Sequence, residues 1–481
     1  MAYTKNQLLQ QELFKNFDRI CQIPHASGHE KALSDDLLSW ARSLGLEAEQ
    51  DAHHNLIIRK PATPGYENAP PIMLQAHIDM VGDQVEGGTF NFLEDPIHWV
   101  VQGDAITTEG KTTLGADDGI GVAMAMTILA DRQHPHPPVE VAFTTMEEVD
   151  FSGADAFDFP FLAQYFINLD GSDDRQIFCG SSGGMDADIF LPARFMPVPD
   201  GWVCVRAAIN GFAGGHSGRE ISKGRDSAIG VLGRLLLRLN QDIPFLISDL
   251  SGGSTYIAIS QNAWADLVLK EQDLPRVKEL LAPFQSAIQA EHPLTGDKIS
   301  ITLHPVPRPE TAAEPSRIIT WLTLAPNGIV QMNEMFSNVV ASSVNLGLVQ
   351  RKEDKFYFKF DIRSLSEPMG EFTYQKLKWL ANLTDAACQS TIHYPSWMLR
   401  ADSKLRDRAV QVYRKHFGCD PDVTTIHVGL EVGYFIRKKP EIDAISIGPK
   451  RWGNHTPTES LSISSAIRCM DYLFSLLEEM H

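Results

Sequence analysis

At 481 residues, 43% of them apolar and 21% charged, the chain has the composition of a globular protein too long for one core, so two or three domains are expected. Its net charge of −19 is spread along the sequence, which argues against a nucleic-acid partner and against docking to anionic lipid. No run approaches the roughly 18 apolar residues of a membrane span. The start, Met1-Ala2-Tyr3-Thr4, lacks the basic and apolar regions of a signal peptide. The six scattered cysteines read as reduced thiols of a cytoplasmic protein.

Residues 5–20 carry Leu8, Leu9, Leu13, Phe14, Phe17 and Ile20 at helical spacing. Ser27 and Glu30 stand at capping-box distance for a helix through Leu44, with His25 and His29 beside them as surface or packing histidines. The apolar run from Ile72 to Val81 reads as a buried strand interrupted by His77 and Asp79. Their i, i+2 spacing puts both on one side of an extended chain, where a carboxylate behind an imidazole fixes its tautomer and strengthens it as a metal ligand. Leu114-Gly115-Ala116-Asp117-Asp118-Gly119 leads into an apolar helix from Val122 to Leu129, with two carboxylates at the end the helix dipole favours. Val139 to Thr145 reads as a buried strand ending in Met146-Glu147-Glu148, and Phe166 to Asp170 as another with a terminal carboxylate. The space beyond the carboxyl ends of such strands is where α/β sheets bind ligands. One glutamate there can ligate a metal while its neighbour moves a proton. Taken singly, each motif has a plainer reading: a solvated acidic turn for Glu147-Glu148, a satisfied core histidine for His77, an N-cap for Asp117 and a turn residue for Asp170.

From about Met185 the pattern changes to Pro-rich turns, alternating segments at 203–209 and 356–362, and helices near 226–240, 272–290 and 371–388. This reads as a separate α+β domain. Within it, Gly211 to Gly218 encloses His216 in a loop that is either a plain turn or a close approach of backbone to a ligand. The α/β pattern then returns, with a helix near 402–417, a strand at 443–449 and the loop Gly453-Asn454-His455-Thr456-Pro457-Thr458-Glu459, which caps a last helix over 460–479.

Together His77, Asp79, Asp117, Glu147, Glu148, Asp170 and His455 offer two imidazoles and several carboxylates without a thiolate, a donor set suited to a pair of borderline-hard divalent ions. Two ions about 3.5–4 Å apart make hydroxide available at neutral pH. In this order the residues resemble the M20 family of dizinc metallopeptidases, and within it the aminoacyl-histidine (Xaa-His, peptidase D type) dipeptidases. The likeness extends to Gly115 to Gly119, Asn168-Leu169-Asp170, Gly211 to Gly218 and His455-Thr456-Pro457, so it covers nearly the whole chain. Asp118 or Gly119 stands where many relatives carry Lys or Asn, at a position that is not a ligand.

The resemblance implies an α/β, zinc-exopeptidase-like catalytic domain, a mixed sheet flanked by helices, formed by residues 1–185 and 396–481. Residues 186–395 would be an inserted α+β lid and dimerisation domain. It implies two Zn2+ per subunit, with Co2+ or Mn2+ as substitutes. His77 and Asp170 would hold one ion, Glu148 and His455 the other, and Asp117 would bridge them across a cis peptide to Asp118. Asp79 would orient His77, and Glu147 would activate the metal-bridging water as general base and then act as acid. His216, Asn262 and Arg363 would hold the substrate and the tetrahedral intermediate, Arg363 through its bidentate fork. The implied activity is hydrolysis of dipeptides, Xaa-His and carnosine-like ones first, by a cytoplasmic homodimer joined through the lid. A tripeptidase, an N-acyl amino acid deacylase or a carboxypeptidase would share the same metal residues.

Overall fold

Ile72-Met73-Leu74-Gln75-Ala76-His77 is buried at every position, as a strand covered on both faces of a sheet must be. In the computed structural model, which describes residues 3–293, 298–390 and 393–481, this strand runs parallel to Val139–Thr144 on one side and Tyr165–Asn168 on the other. Asp443–Ser446 extends the parallel set next to Tyr165–Asn168. The remaining strands complete the expected mixed sheet, in the order Glu47–Gln50, Leu56–Lys60, Val139–Thr144, Ile72–His77, Tyr165–Asn168, Asp443–Ser446, Gln176–Ser181 and Asp422–Ile426. Leu56–Lys60 is antiparallel to Val139–Thr144. Helices Glu12–Cys21, Ala116–Ala130 and Ile463–Glu478 pack Phe14, Phe17, Ile120, Met124 and Leu473 into the same core as Leu74 and Val141. A four-stranded antiparallel sheet beside it pairs Arg451–Trp452 with Ser460–Ser462, then Ala105–Thr107 and Val100–Gln102. All four parallel strands therefore deliver their carboxyl ends to one edge.

These elements belong to the first of two compact units, Met1–Gly180 with Met398–Thr425 and Leu430–His481. The second is Ser181–Trp397 with Ile426–Gly429. Its limits differ from the expected 186–395 because Gly183–Pro192 is a strand paired with Lys355–Ser364 along its length. Ser181 and Trp397 also exchange backbone hydrogen bonds, and Ser182 N–H donates to the Ile426 carbonyl. The second unit is built on an antiparallel sheet whose main path runs Ser300–Val306, Trp202–Asn210, Ala263–Lys270, Phe245–Gly252, Val340–Lys352, Lys355–Ser364, Gly183–Pro192 and Ala387–Gln389. Alternation decides its two faces. Phe356, Phe358, Phe360 and Ile362 enter the core with Leu232, Leu235 and Leu236 of helix Ala228–Asp242, which leaves Lys359, Asp361 and Arg363 on the other face.

Several local expectations change. The N-terminal helix is two, Lys5–Leu8 and Glu12–Cys21, because Gln11 is extended at φ −96° and ψ 132°. The His77 strand stops at His77 rather than reaching Val81. The helix expected over 371–388 is Glu367–Leu383, with Pro368 in its first turn, where a missing N–H costs nothing. The last helix begins at Ile463, with the Ser462 hydroxyl accepting from Ser465 N–H, so Glu459 is not its cap. Ser27 and Glu30 form no capping box either, since both side chains serve the site below.

Among the described residues no helix is long and apolar enough to cross a membrane, and all six cysteines are free.

Candidate metal centre and associated polar cluster

The chain brings His77, Asp79, Asp117, Glu147, Glu148, Asp170 and His455 together in the first unit. Asp117 lies between the two imidazoles: Oδ1 is 3.5 Å from His77 Nε2 and Oδ2 is 3.5 Å from His455 Nε2. Glu148 Oε1 is 2.9 Å from His455 Nε2, without the alignment of a hydrogen bond. Glu147 Oε2 is 4.0 Å from His77 Nε2. The Asp117-Asp118 peptide is cis.

Backbone and side-chain contacts hold these groups in place. Glu147 and Glu148 follow Met146, which takes the left-handed φ of 59° that non-glycine residues adopt rarely. Asp79 fixes this turn, accepting from Glu147 N–H at 3.0 Å and Glu148 N–H at 3.2 Å. The Ser27 hydroxyl donates to Asp79 at 2.8 Å, and Glu30 accepts from Gly28 N–H and Met146 N–H. His77 Nδ1 lies 3.0 Å from the Asp79 carbonyl and 3.4 Å from its carboxylate. With Nδ1–H donated to that carbonyl, Nε2 is left as the ligand atom.

The electrostatics favour positive charge. Burial lowers the His77 pKa, but the carboxylates of Asp117, Asp79 and Glu147 outweigh it and hold the ring well above its usual value. The carboxylates of Asp117 and Glu148 beside it carry His455 up to about 10. Burial, together with the Glu148 and Asp170 charges and against the opposing pull of His77, holds Glu147 well above the usual carboxylate range. Burial and the Asp117 charge raise Asp170 to about 6.

The donor set fits a metal pair on its own geometry. His77 Nε2 and Glu148 Oε1 are buried without a hydrogen-bond partner, an arrangement that is costly unless something else satisfies them. Ligand atoms of His77, Asp117 and Glu148 lie within 4.8 Å of one another, and so do those of His77, Asp118 and Asp170. The second grouping brings Asp118 within ligand reach, a position outside the expected ligand set.

Four supporting residues escaped sequence reading. Glu459 accepts from the N–H groups of Leu114, Gly115 and Asp117 at 2.8, 3.0 and 3.1 Å. Asn454 Nδ2 donates to Asp117 Oδ2 at 2.5 Å. Arg451, with a side chain only 1% exposed, pairs with Asp117, Asp118 and Asp170. Glu431 lies buried beside the sheet, accepting from Gln75 and Thr144 at 2.6 and 2.7 Å, and burial raises its carboxyl to about 8. For Arg451, Asn454 and Glu459 the one signal available was the density of polar residues around His455.

The second unit holds the other expected residues. His216 Nδ1 accepts from Gly218 N–H at 3.0 Å and Arg219 N–H at 3.2 Å, which leaves Nε2 to carry the proton. Burial and the nearby Arg363 charge lower this histidine to about 4, so the ring is neutral at pH 7. Arg363 is buried, donating to Asp361 Oδ2 at 2.7 Å and to the Tyr394 hydroxyl at 3.2 Å. Ser217 donates to the same Asp361 oxygen at 2.5 Å, which ties the His216 loop to Arg363. Asn262 is exposed and lines a cavity of about 360 Å3 with Gly215, Ser251 and Trp264. His427 joins this cluster from the C-terminal part of the chain, its Nε2 2.7 Å from the Ser343 hydroxyl.

Imidazoles and carboxylates crowded at the carboxyl ends of parallel strands define a metal-dependent hydrolase site. Residues 73–479 match the profile of peptidase family M20/M25/M40. Across 479 residues, 99% of each chain, this protein is 33% identical to the cytosol non-specific dipeptidase of Escherichia coli (strain K12). It shares 31% identity and a TM-score of 0.91 with the crystal structure of aminoacylhistidine dipeptidase from Vibrio alginolyticus, over 98% of this chain and 96% of that one. Aminopeptidase PepT from Bacillus cereus shares the fold, at a TM-score of 0.57 and 17% identity over 98% of both chains. The chain belongs to peptidase family M20/M25/M40.

Proposed function

We propose that this protein hydrolyses dipeptides, Xaa-His and carnosine-like ones first, with broad specificity, as a cytoplasmic homodimer carrying two Zn2+ per subunit. That it is a metallo-dipeptidase of the M20 family rests on the family match and on full-length similarity to two dipeptidases. The observation that supports the site reading is Asp117, with one carboxylate oxygen facing each imidazole at 3.5 Å. His77 and Asp170 would hold one ion, His455 and Glu148 the other, and Asp117 both. Bound divalent ions supply Lewis acidity to the scissile carbonyl and lower the pKa of water.

Glu147 makes the proton transfers. Its carboxyl is beside His77, and burial holds its pKa well above the usual carboxylate range, which strengthens it as a general base. It takes the proton of the attacking water and returns it to the leaving amine nitrogen. Asp79 keeps Glu147 in place through its backbone N–H. The neutral Nε2–H of His216 and the Asn262 amide donate to the developing oxyanion, and Arg363 holds the substrate carboxylate.

The test is hydrolysis of β-Ala-His, Ala-His and Ala-Ala-Ala by zinc-loaded protein, with Glu147→Ala as control and metal content measured in both. Cleavage of the histidine dipeptides is expected, with kcat reduced by about 10²–10⁴-fold in the variant while both ions stay bound. Full turnover by the variant would remove Glu147 from its role. Cleavage of the tripeptide alone would favour the tripeptidase reading, which draws on a 79-residue stretch 47% identical to Peptidase T of Citrobacter koseri. If no peptide is cleaved, N-acyl amino acids are the next substrates to assay.

A further inference from the structure

Arg451 is a full cation placed inside a site that reads as a cation site. Its side chain is 1% exposed. One arm of the guanidinium, Nη1, lies 3.2 Å from the Ala116 carbonyl, 3.2 Å from Asp118 Oδ1 and 3.1 Å from Asp117 Oδ1. The other, Nη2, donates to the Asp170 carbonyl at 3.1 Å and to Asp170 Oδ1 at 2.7 Å. One planar fork thus ties the loop carrying Asp117 to the strand end carrying Asp170. Arg451 is set in place by its strand, where it stands opposite Leu461, four residues ahead of His455.

Burying a guanidinium is costly unless its partners compensate, and here the carboxylates supply the compensation. Asp79, Asp117, Asp118, Glu147, Glu148 and Asp170 crowd the site, where like charges disfavour one another. A fixed cation offsets part of that repulsion. It also holds one oxygen of Asp170, which orients that carboxylate as a ligand. No contact joins Arg451 to Glu148 or His455 among the described residues, and Asp117, which both ions would share, is held by Asn454 as well, so the influence of Arg451 falls chiefly on Asp170.

We infer that Arg451 is a positioning residue for the metal pair, fixing Asp170 so that the ion position beside His77 is formed, while the position beside His455 keeps the shared Asp117 through its bond from Asn454. The inference rests on the dinuclear reading above.

The test is stepwise loading of metal-free wild-type, Arg451→Met and Arg451→Lys proteins with Zn2+ alone, followed by native mass spectrometry and chelator competition. Wild-type protein is expected to take two ions. Arg451→Met should hold one ion with wild-type affinity and the other about 10–100-fold more weakly, the usual effect of losing a group that orients a ligand. Arg451→Lys keeps the charge without the fork and should be intermediate at the same position. Both ions bound with unchanged affinity in Arg451→Met, or both weakened equally in folded Arg451→Lys, would overturn the inference. If Arg451→Met does not fold, by far-UV circular dichroism, the lysine variant alone decides. Wild-type protein binding fewer than two ions would instead sink the dinuclear reading, and the inference with it.

Discussion

His427 shows how a single side chain can set the acid limit of a domain. Burial, the Arg363 charge and the neighbouring His216 lower it to about 3, against an ordinary 6.5, so the native state keeps the ring neutral. The unfolded chain takes up a proton as pH falls through 6.5, and the folded one does not until about 3. Between those values the unfolded state binds more protons, so stability is lost as pH falls and recovered as it rises. By pH 4 the loss attributable to this group is about 3 kcal/mol. Hydrogen exchange in strand Val340–Lys352, which carries the Ser343 partner, should accelerate from pH 6.5 to pH 4 beyond the intrinsic change. In His427→Gln, whose amide can keep the bond to Ser343, that acceleration should largely vanish. An unchanged pH profile in the variant would assign the acid sensitivity elsewhere. The spacing of the chain offered no sign of this role, because Ser343 and Arg363 lie 84 and 64 positions away and a lone histidine in a Thr-rich segment has no distinguishing pattern.

The loop from Leu114 to Asp117 depends on a different remote residue. Glu459 accepts three of its backbone N–H groups and is itself 2% exposed. Replacing it with alanine strands those donors in the interior, at about 1–3 kcal/mol for each group left unpaired. Glu459→Ala should therefore lose roughly 3 kcal/mol in urea unfolding, and Asp117 should lose its fixed position with the loop. Glu459→Gln keeps an acceptor and should recover most of the stability. Equal stability of Glu459→Ala and wild type would mean that water replaces the carboxylate. Elements like this mark the limit of what spacing reveals. The buried strands and the carboxylates at their ends were legible, because period and burial are local properties of a sequence. Ser27, Glu30 and Glu459 looked like helix caps because capping chemistry and site-supporting chemistry use the same short acceptors. Only the fold distinguishes a glutamate that accepts from its own helix from one that accepts from a loop more than 300 residues away.

At the scale of the whole molecule, the homodimer proposed above needs a surface, and the second unit offers one. Helix Glu367–Leu383 buries Gly370, Thr373, Leu377 and Ala381 and turns Phe372, Trp379 and Leu383 to solvent, at 55%, 68% and 70% exposure. Those three recur at intervals of seven and four, so they share one stripe of the helix. Large apolar side chains grouped this way mark contact surfaces more often than accident. The strand Ala387–Gln389 follows that helix and ends the main path of the sheet, so among the described residues no further strand of that path covers its outer edge, and such an edge can pair with another chain. A second copy of the chain can cover stripe and edge together through a two-fold axis, since a closed dimer places the same patch on both partners. Sedimentation velocity at micromolar protein should give a dimer for the wild type and a monomer for the double variant Phe372→Glu, Trp379→Glu, with the far-UV spectrum unchanged because both side chains lie outside the core. A wild-type monomer would remove the dimer from the proposed function. A dimer that survives both glutamates would place the contact on another face.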